Sequence, residues 1–89
     1  MSGAFVYMLL CEDGSFYTGW TNDVEKRFAA HKSGAGAKYT RAHRPVAVAY
    51  AERCASKREA MRREAAIKRL THTQKQALCA GGAPVQGAE

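Results

Sequence analysis

The stretch FVYMLLCEDGSFYTGW, residues 5–20, constrains the fold more than any other part of the chain because it has the pattern of a β-hairpin. Residues 5–11 form an apolar run rich in strand-forming types, and residues 15–20 are their natural partner. Between them, the letters EDG supply turn chemistry. Each predicted strand carries one tyrosine, Tyr7 or Tyr17, so the geometry of the turn decides whether the two rings meet.

Two different turns are compatible with these letters. A two-residue turn would put Tyr7 and Tyr17 on opposite faces of the sheet. A three-residue loop, with Gly14 in the left-handed conformation, would pair Tyr17 with Leu9 and place both tyrosines on the same face as Gly19. The sequence E-D-G favours the three-residue loop, although tyrosines in strands are also common packing residues.

The rest of the chain predicts three helices and one more strand. Thr21, Asn22 and Asp23 all have helix-capping side chains, and Glu25, three residues after Asn22, completes the spacing of a capping box. Gly34 is a suitable stop for the helix that follows. Thr73 is a suitable N-cap for a last short helix. Residues 33–45 are predicted to be an irregular, basic connection that contains glycine. The predicted helices span about 23–32, 55–70 and 74–79, and the predicted third strand spans 46–52.

These elements predict an α+β fold, with a small three-stranded antiparallel sheet flanked by helices in the order β-β-α-β-α(-α). A length of 89 residues fits one domain with one modest core. We expect this domain to span residues 1–79. Residues 80–89 contain three glycines and one proline, and we expect them to form a disordered tail.

Composition argues against several classes of protein. No apolar run approaches the roughly 18 residues that span a bilayer. The N-terminus lacks the charged lead and the cleavage-like site of a signal peptide, so we expect a cytoplasmic protein without membrane contact. Cys11, Cys54 and Cys79 are an odd number without a close pair, which argues against a disulfide framework or a zinc site.

The charge of the chain favours a polyanionic partner. The formal net charge is +6, and residues 53–75 carry eight lysines and arginines against only Glu59 and Glu64. A concentrated basic surface binds nucleic acid through release of counterions, although a solvated basic helix face has the same composition.

Two helix positions add chemistry to the two tyrosines. Arg27 and His31 are four residues apart, so both project from one stripe of the first helix, where they could neutralise a phosphate or transfer a proton. Glu64 lies beside the apolar stripe of the long helix, and a carboxylate there needs an arginine, a tyrosine or a metal ion as its partner. Pairing with Lys68 at i+4 is the alternative role for this glutamate. As a set with the tyrosines, these residues could supply the base, the cation and the metal ligand that phosphodiester hydrolysis needs.

With these residues in place, the chain resembles the GIY-YIG endonuclease superfamily. FVY at residues 5–7 resembles the GIY element and YTG at residues 17–19 resembles the YIG element. TNDVEKRFAAH carries the arginine of the following helix, and EAAIK carries the glutamate of the later helix. The phrases YTGWTND, AKYTR and RPV are similar to the small single-domain bacterial branch, which is like the N-terminal domain of the excision-repair nuclease. The resemblance covers residues 4–78 and implies the β-β-α-β-α order given above.

The resemblance implies a divalent-metal-dependent endonuclease and a role for each member of the set. Tyr7 and Tyr17 would lie beside the scissile phosphate, with Tyr7 favoured as the residue that helps to activate water. Arg27 would stabilise charge on the phosphate, and His31 would relay a proton. Glu64 would be the sole protein ligand of the metal, Mg²⁺ or Mn²⁺.

Three positions depart from the family pattern. Phe5 stands where the family has the first glycine of GIY. Trp20 stands where the excision-repair relatives have a lysine. Gln76, or the neighbouring Lys75, stands where many relatives carry an asparagine.

The expected substrate is single-stranded, branched or damaged DNA, with RNA as a further candidate, and the expected setting is repair or recombination. A separate DNA-reading domain does not fit in 89 residues, so sequence-specific cleavage would require a homodimer or a partner protein. Tyr39 could stack on a base, and packing beneath its loop is the alternative. The residues expected to contact nucleic acid are Gly19, Trp20, Lys38, Tyr39, Arg41, Arg44, Arg62, Arg63, Lys68 and Lys75.

Two other functions compete with the nuclease. One is a non-catalytic nucleic-acid-binding module that keeps the fold and the basic surface. The other is a protein-interaction domain, for which charge reversal at Arg62 and Arg63 would leave function unchanged. The nuclease is favoured because binding alone does not require Glu64 beside the core.

Overall fold

The computed structural model describes residues 3–80 and contains one antiparallel sheet whose strands lie in the order β2–β1–β3. The predicted α+β class is confirmed, with one further short helix, α2, in the segment predicted to be irregular. Residues 81–89 of the predicted tail lie outside the described residues. The elements are β1 (Ala4–Cys11), β2 (Phe16–Thr21), α1 (Val24–Lys32), α2 (Lys38–Ala42), β3 (Pro45–Cys54), α3 (Lys57–Lys68) and α4 (His72–Cys79).

The hairpin has the three-residue loop. Leu9 lies opposite Tyr17 in the β1–β2 register, and the Cys11 amide donates to the Ser15 carbonyl at 2.9 Å to close the ladder. Gly14 has a φ of 85°, a left-handed conformation that costs glycine little because it has no Cβ. The prediction that this turn fixes the register is confirmed.

Helices cover both faces of the sheet, so the central strand β1 is buried on both sides. Val6 and Met8 point to one face, where they form a core cluster with Ala60 and Ile67 of α3. Tyr7, between them, points to the other face and contacts α1. Residues on β1 therefore belong alternately to a plain hydrophobic core and to a polar face.

Helices α1, α3 and α4 begin at side-chain caps, not all of them the predicted ones. Of the three predicted capping residues, Asp23 caps α1, because its carboxylate accepts from the Lys26 amide; the predicted capping box of Asn22 with Glu25 is wrong. Gly34, with a φ of 88°, follows the end of α1 as predicted. Thr71, not Thr73, caps α4 and forms a capping box with Gln74, so that helix begins one residue after Thr71.

The remaining differences between the predicted and the observed elements are in where α3 and β3 begin and end. α3 begins at Lys57, two residues after the predicted start. It begins there because the Ser56 side chain accepts from the Glu59 amide. β3 extends from Pro45, where the missing amide hydrogen is tolerated at the first residue of an edge strand, to Cys54. Within residues 3–80, no helix is long and apolar enough to cross a membrane.

Candidate active site

The two tyrosines of the hairpin meet on one face of the sheet. Tyr7 of β1 lies opposite Gly19 of β2, and Tyr17 lies two pairs further along, opposite Leu9. The centroids of the two phenol rings are 6.4 Å apart and the ring planes are inclined by 49°. The predicted shared face is therefore confirmed, and the two rings belong to one site.

Gly19 makes room for both phenols. A Cβ atom at this position would lie 2.8 Å from the Tyr7 hydroxyl oxygen and 3.2 Å from the Tyr17 ring. The Tyr7 ring therefore crosses over the backbone of β2, which any other residue would block. Steric space, not backbone conformation, is the reason for glycine here.

His31 of α1 is the direct partner of Tyr7. Its side chain is 1% exposed, and Nε2 lies 2.9 Å from the Tyr7 hydroxyl oxygen. The imidazole also lies against Tyr17, with 4.9 Å between ring centroids. Burial lowers the pKa of His31, and the nearby Arg27 charge lowers it further, so the ring is neutral at pH 7.

Arg27 and Glu64 influence the same phenol from different elements. Burial raises the pKa of Tyr7 to about 12, and the Arg27 guanidinium opposes this rise. The charges of Tyr17 and of the Glu64 carboxylate add to the rise. The fold therefore brings the five predicted residues of the set within electrostatic reach of one hydroxyl group.

Glu64 is the candidate metal ligand. Its side chain is 21% exposed, and one carboxylate oxygen lies 2.8 Å from Lys68 Nζ. This is the i+4 ion pair that the sequence offers as the alternative to metal binding. Within residues 3–80, no group of three or more His, Cys, Asp or Glu side chains could hold a metal ion. A single carboxylate fits Mg²⁺, which keeps several waters and binds through one or two carboxylates and a substrate phosphate. It does not fit zinc, which takes at least three protein ligands.

Sequence reasoning missed the residue behind His31. Thr40 of α2 is 2% exposed, and its hydroxyl oxygen lies 2.8 Å from His31 Nδ1. Gly36 packs against the same ring, since a Cβ there would overlap Nδ1. Thr40 lies within the phrase AKYTR, next to Lys38, Tyr39 and Arg41. Those three exposed residues are of types that bind nucleic acid, whereas a threonine gives no such signal in the sequence.

A cleft lies beside Tyr17. It has a volume of about 250 Å³, and Thr18 is one of its lining residues. Tyr17 and Tyr39 are stacked with 6.0 Å between centroids, and Tyr39 is 37% exposed. The cleft therefore combines an aromatic surface with two cations. Its lining residues are Phe16, Tyr17, Thr18, Tyr39, Lys68 and Lys75.

A second cleft, on the His31 side, carries two more of the predicted contacts. Arg41 and Arg44 line this cleft of about 320 Å³ together with Lys32. Lys38, at the start of α2, is exposed. Arg41 and Arg44 thus share a cleft with His31.

Three predicted nucleic-acid contacts lie away from these clefts. Trp20 packs against the core cluster on the opposite face, with Lys57 Nζ 5.6 Å from its ring centroid. Arg63 donates two hydrogen bonds of 2.9 Å to the Glu52 carboxylate of β3. Arg62, its neighbour, is exposed on the outer surface of α3.

Comparison with known proteins identifies the family of the chain. The family model of the GIY-YIG catalytic domain matches residues 3–77. The UPF0213 protein of Clostridium perfringens is 56% identical over 71 residues, which cover 80% of this chain and 76% of that protein. The UPF0213 protein of Halobacterium salinarum is 53% identical over 73 residues, which cover 82% of this chain and 95% of that protein.

A solved structure has the same fold. The solution NMR structure of the UPF0213 protein of Bacillus halodurans is 45% identical in sequence and superposes with a TM-score of 0.55, covering 88% of this chain and 83% of that chain. The chain therefore belongs to the GIY-YIG nuclease family and, within it, to the small single-domain UPF0213 proteins.

Proposed function

We propose that this protein is a divalent-metal-dependent endonuclease that hydrolyses phosphodiester bonds in DNA, with the activity located in residues 1–79. The observation that carries the proposal is the hydrogen bond of 2.9 Å between the buried Tyr7 hydroxyl and His31 Nε2. A phenol with a pKa raised to about 12 is a poor acid by itself. Its contact with a neutral imidazole is typical of groups that move a proton.

Each residue of the set has a role that suits phosphodiester hydrolysis. Tyr7 takes a proton from the attacking water, and Tyr17 lies beside it to orient the phosphate. Arg27 stabilises the negative charge that develops on the phosphate oxygens. His31 receives the proton that Tyr7 gives up.

Glu64 would hold the metal ion, Mg²⁺ or Mn²⁺, and the bound ion would supply Lewis-acid polarisation of the phosphate. The Lys68 ammonium now balances the charge of this carboxylate at 2.8 Å. Lys68 is 54% exposed, so its side chain can turn away toward a phosphate of the substrate. The donor chemistry and the exposure both support a single-carboxylate site.

The surroundings of the site favour a substrate with unpaired bases. The cleft beside Tyr17 is lined by the rings of Tyr17 and Tyr39, and His43 stacks on Tyr39 with 4.0 Å between centroids. A base from a single strand, a branch or a damaged site would insert against these rings by displacing one of the stacked neighbours. Lys68 and Lys75 line the same cleft and suit phosphate contacts. We therefore propose recognition of structure or damage rather than of base sequence, in DNA repair or recombination.

Cleavage assays test this function directly. Single-stranded, duplex and branched DNA, with a matched single-stranded RNA, are incubated with the wild type and with Glu64→Ala in the presence of Mg²⁺. We expect cleavage of branched or single-stranded DNA by the wild type and none by Glu64→Ala. Cleavage that survives in Glu64→Ala would contradict the role of the carboxylate.

A binding module without catalysis is the second candidate, and the Glu64–Lys68 ion pair favours it because a paired carboxylate needs no metal. Affinity for the same four nucleic acids, measured with and without Mg²⁺, separates the two. Tight binding with no cleavage of any substrate would support the module and overturn the nuclease.

A further inference from the structure

A chain of buried polar groups continues behind Tyr7 into the protein. The Tyr7 hydroxyl lies 2.9 Å from His31 Nε2, and the Thr40 hydroxyl oxygen lies 2.8 Å from Nδ1 on the other side of the ring. The Thr40 hydroxyl in turn donates to the Ala37 carbonyl oxygen at 2.9 Å. His31 is 1% exposed and Thr40 is 2% exposed, so bulk water does not compete for the hydrogen bonds of the imidazole ring.

Counting protons assigns the direction of this chain. The Thr40 hydroxyl has one proton, and the Ala37 carbonyl oxygen can only accept, so that proton lies between them. The Thr40 oxygen must then accept from His31 Nδ1, which therefore carries the ring proton. His31 Nε2 is left with a lone pair and accepts from the Tyr7 hydroxyl.

The opposite tautomer fits less well. In it, Nδ1 would accept from the Ala37 amide, which lies at 3.3 Å, the longest contact of the group. The Thr40 proton would also have to turn to Nδ1, which would leave the Thr40 and Ala37 oxygens 2.9 Å apart with no proton between them. Both tautomers keep the short contacts of Nε2 with Tyr7 and of Nδ1 with Thr40. The choice is therefore between the Thr40–Ala37 carbonyl hydrogen bond of 2.9 Å and the Ala37 amide contact of 3.3 Å, and the shorter bond favours the Nδ1–H form.

We propose that Thr40 is a positioning residue that holds His31 as its Nδ1–H tautomer, so that Nε2 is the acceptor for the Tyr7 proton. The catalytic consequence rests on the proposed nuclease function. As the Tyr7 oxygen takes a proton from water, its own proton passes to Nε2, and the hydroxide formed attacks phosphorus. The P–O bond to the leaving sugar oxygen breaks, and that oxygen takes a proton from solvent water. Tyr7 ends neutral and His31 ends as imidazolium, with its Nδ1–H still donating to Thr40. A free phenolate never forms, which explains how a phenol in a buried position can act as a base.

The tautomer is tested by ¹⁵N NMR of the imidazole nitrogens, a readout that does not depend on activity. The protein has three histidines, so the His31 signals are assigned by their loss in His31→Gln. We expect a protonated Nδ1 and an unprotonated Nε2 in the wild type and in Thr40→Ser, which keeps the hydroxyl. In Thr40→Val we expect the signal to move toward the Nε2–H form, since the Ala37 amide then becomes the donor to Nδ1. A protonated Nε2 in the wild type, or an unchanged tautomer in Thr40→Val, would overturn the proposal.

Cleavage kinetics of the same variants test the consequence. We expect kcat of Thr40→Val to fall by about tenfold or more with KM unchanged, and Thr40→Ser to regain most of the rate. Thermal unfolding identifies a variant that fails to fold. If Thr40→Val fails to fold, Thr40→Ser is the test, and loss of the Nδ1–H tautomer or of the cleavage rate in Thr40→Ser would contradict the role of the hydroxyl. A wild type with the expected tautomer but without cleavage would refute the nuclease and leave the positioning role intact. A wild type that cleaves while Thr40→Val keeps both rate and tautomer would refute Thr40 alone.

Discussion

The Tyr7 hydroxyl lies over the Cα of Gly19, so close that a Cβ on Gly19 would be 2.8 Å from the phenol oxygen. The two residues are register partners on the central strand and an edge strand of the sheet. The position of the proposed base thus depends on the absence of one methyl group.

We predict that Gly19→Ala lowers kcat by about 100-fold, because a displacement of the phenols by about 1 Å takes the base out of reach of the water. Gly14→Ala is the matched control. A Cβ at Gly14 meets no atom within 4 Å, but its φ of 85° is strained for alanine. We expect this control to lose about 1–2 kcal/mol of unfolding free energy and to retain its kcat. Equal rates for the two variants, measured below their melting temperatures, would contradict the steric role of Gly19.

A second prediction concerns stability at mildly acidic pH. Burial, and to a smaller extent Arg27, lower the pKa of His31 below its ordinary value of 6.5. Between 6.5 and this lower value the unfolded chain binds more protons than the folded chain, so the free energy of unfolding falls as the pH falls. We therefore expect stability to be constant just above pH 6.5 and to decrease below it.

Urea unfolding of the wild type, His31→Gln and His72→Gln from about pH 8 to about pH 5 checks this window. His31→Gln should lose much of the slope, whereas His72→Gln, which removes an exposed histidine, should keep it. The carboxylates of Asp13 and Glu52 also have lowered pKa values, but their ordinary values of 3.8 and 4.5 place their effects at lower pH. The same slope in His31→Gln and the wild type would mean that His31 titrates normally.

A third prediction isolates the carboxylate of α3. Glu64→Gln keeps the shape of the side chain and removes its charge, so we expect cleavage to fall by at least about 100-fold. Chelation of divalent ions should abolish wild-type cleavage, and added Mg²⁺ or Mn²⁺ should restore it. Glu12→Gln, on the exposed hairpin loop, is the control for a lost negative charge and should cleave like the wild type. Wild-type cleavage that resists chelation would refute metal dependence.

How much the sequence predicts depends on how local the determining interaction is. The register of the hairpin was predictable because three consecutive letters, Glu12-Asp13-Gly14, select one loop. The cap of α1 is predictable only to within three residues, because Thr21, Asn22 and Asp23 are all good capping types, and only the structure shows which side chain accepts from an amide.

Interactions between distant elements were harder to predict. α2 has five residues and no side-chain cap at its start, so nothing in its own sequence signals a helix. Its Thr40 is held by contact with His31, nine residues earlier in the chain. The same limit applies to Arg63, whose partner Glu52 lies eleven residues away on another element. Residue type alone made Arg62 and Arg63 equivalent candidates for nucleic-acid binding.

A fourth prediction separates these two arginines. Arg63 forms a bidentate pair with Glu52, which also accepts from the Tyr50 hydroxyl at 2.6 Å. Because the Arg63 side chain is 36% exposed, we expect Arg63→Ala to cost only about 1 kcal/mol of unfolding free energy. We expect little change in its affinity for DNA, because its guanidinium is engaged within the protein.

Arg62→Ala should behave in the opposite way. Its side chain is exposed on α3, so its loss should leave the melting temperature unchanged and weaken binding of all DNA sequences alike. The slope of log Kd against log salt concentration should decrease by about one, the value expected for one lost phosphate contact. Unfolding curves and fluorescence anisotropy at several salt concentrations on the two variants check the pair. If Arg63→Ala reduced the salt slope as much as Arg62→Ala, the Glu52 pair would have to open when DNA binds, and α3 would face the DNA through both residues.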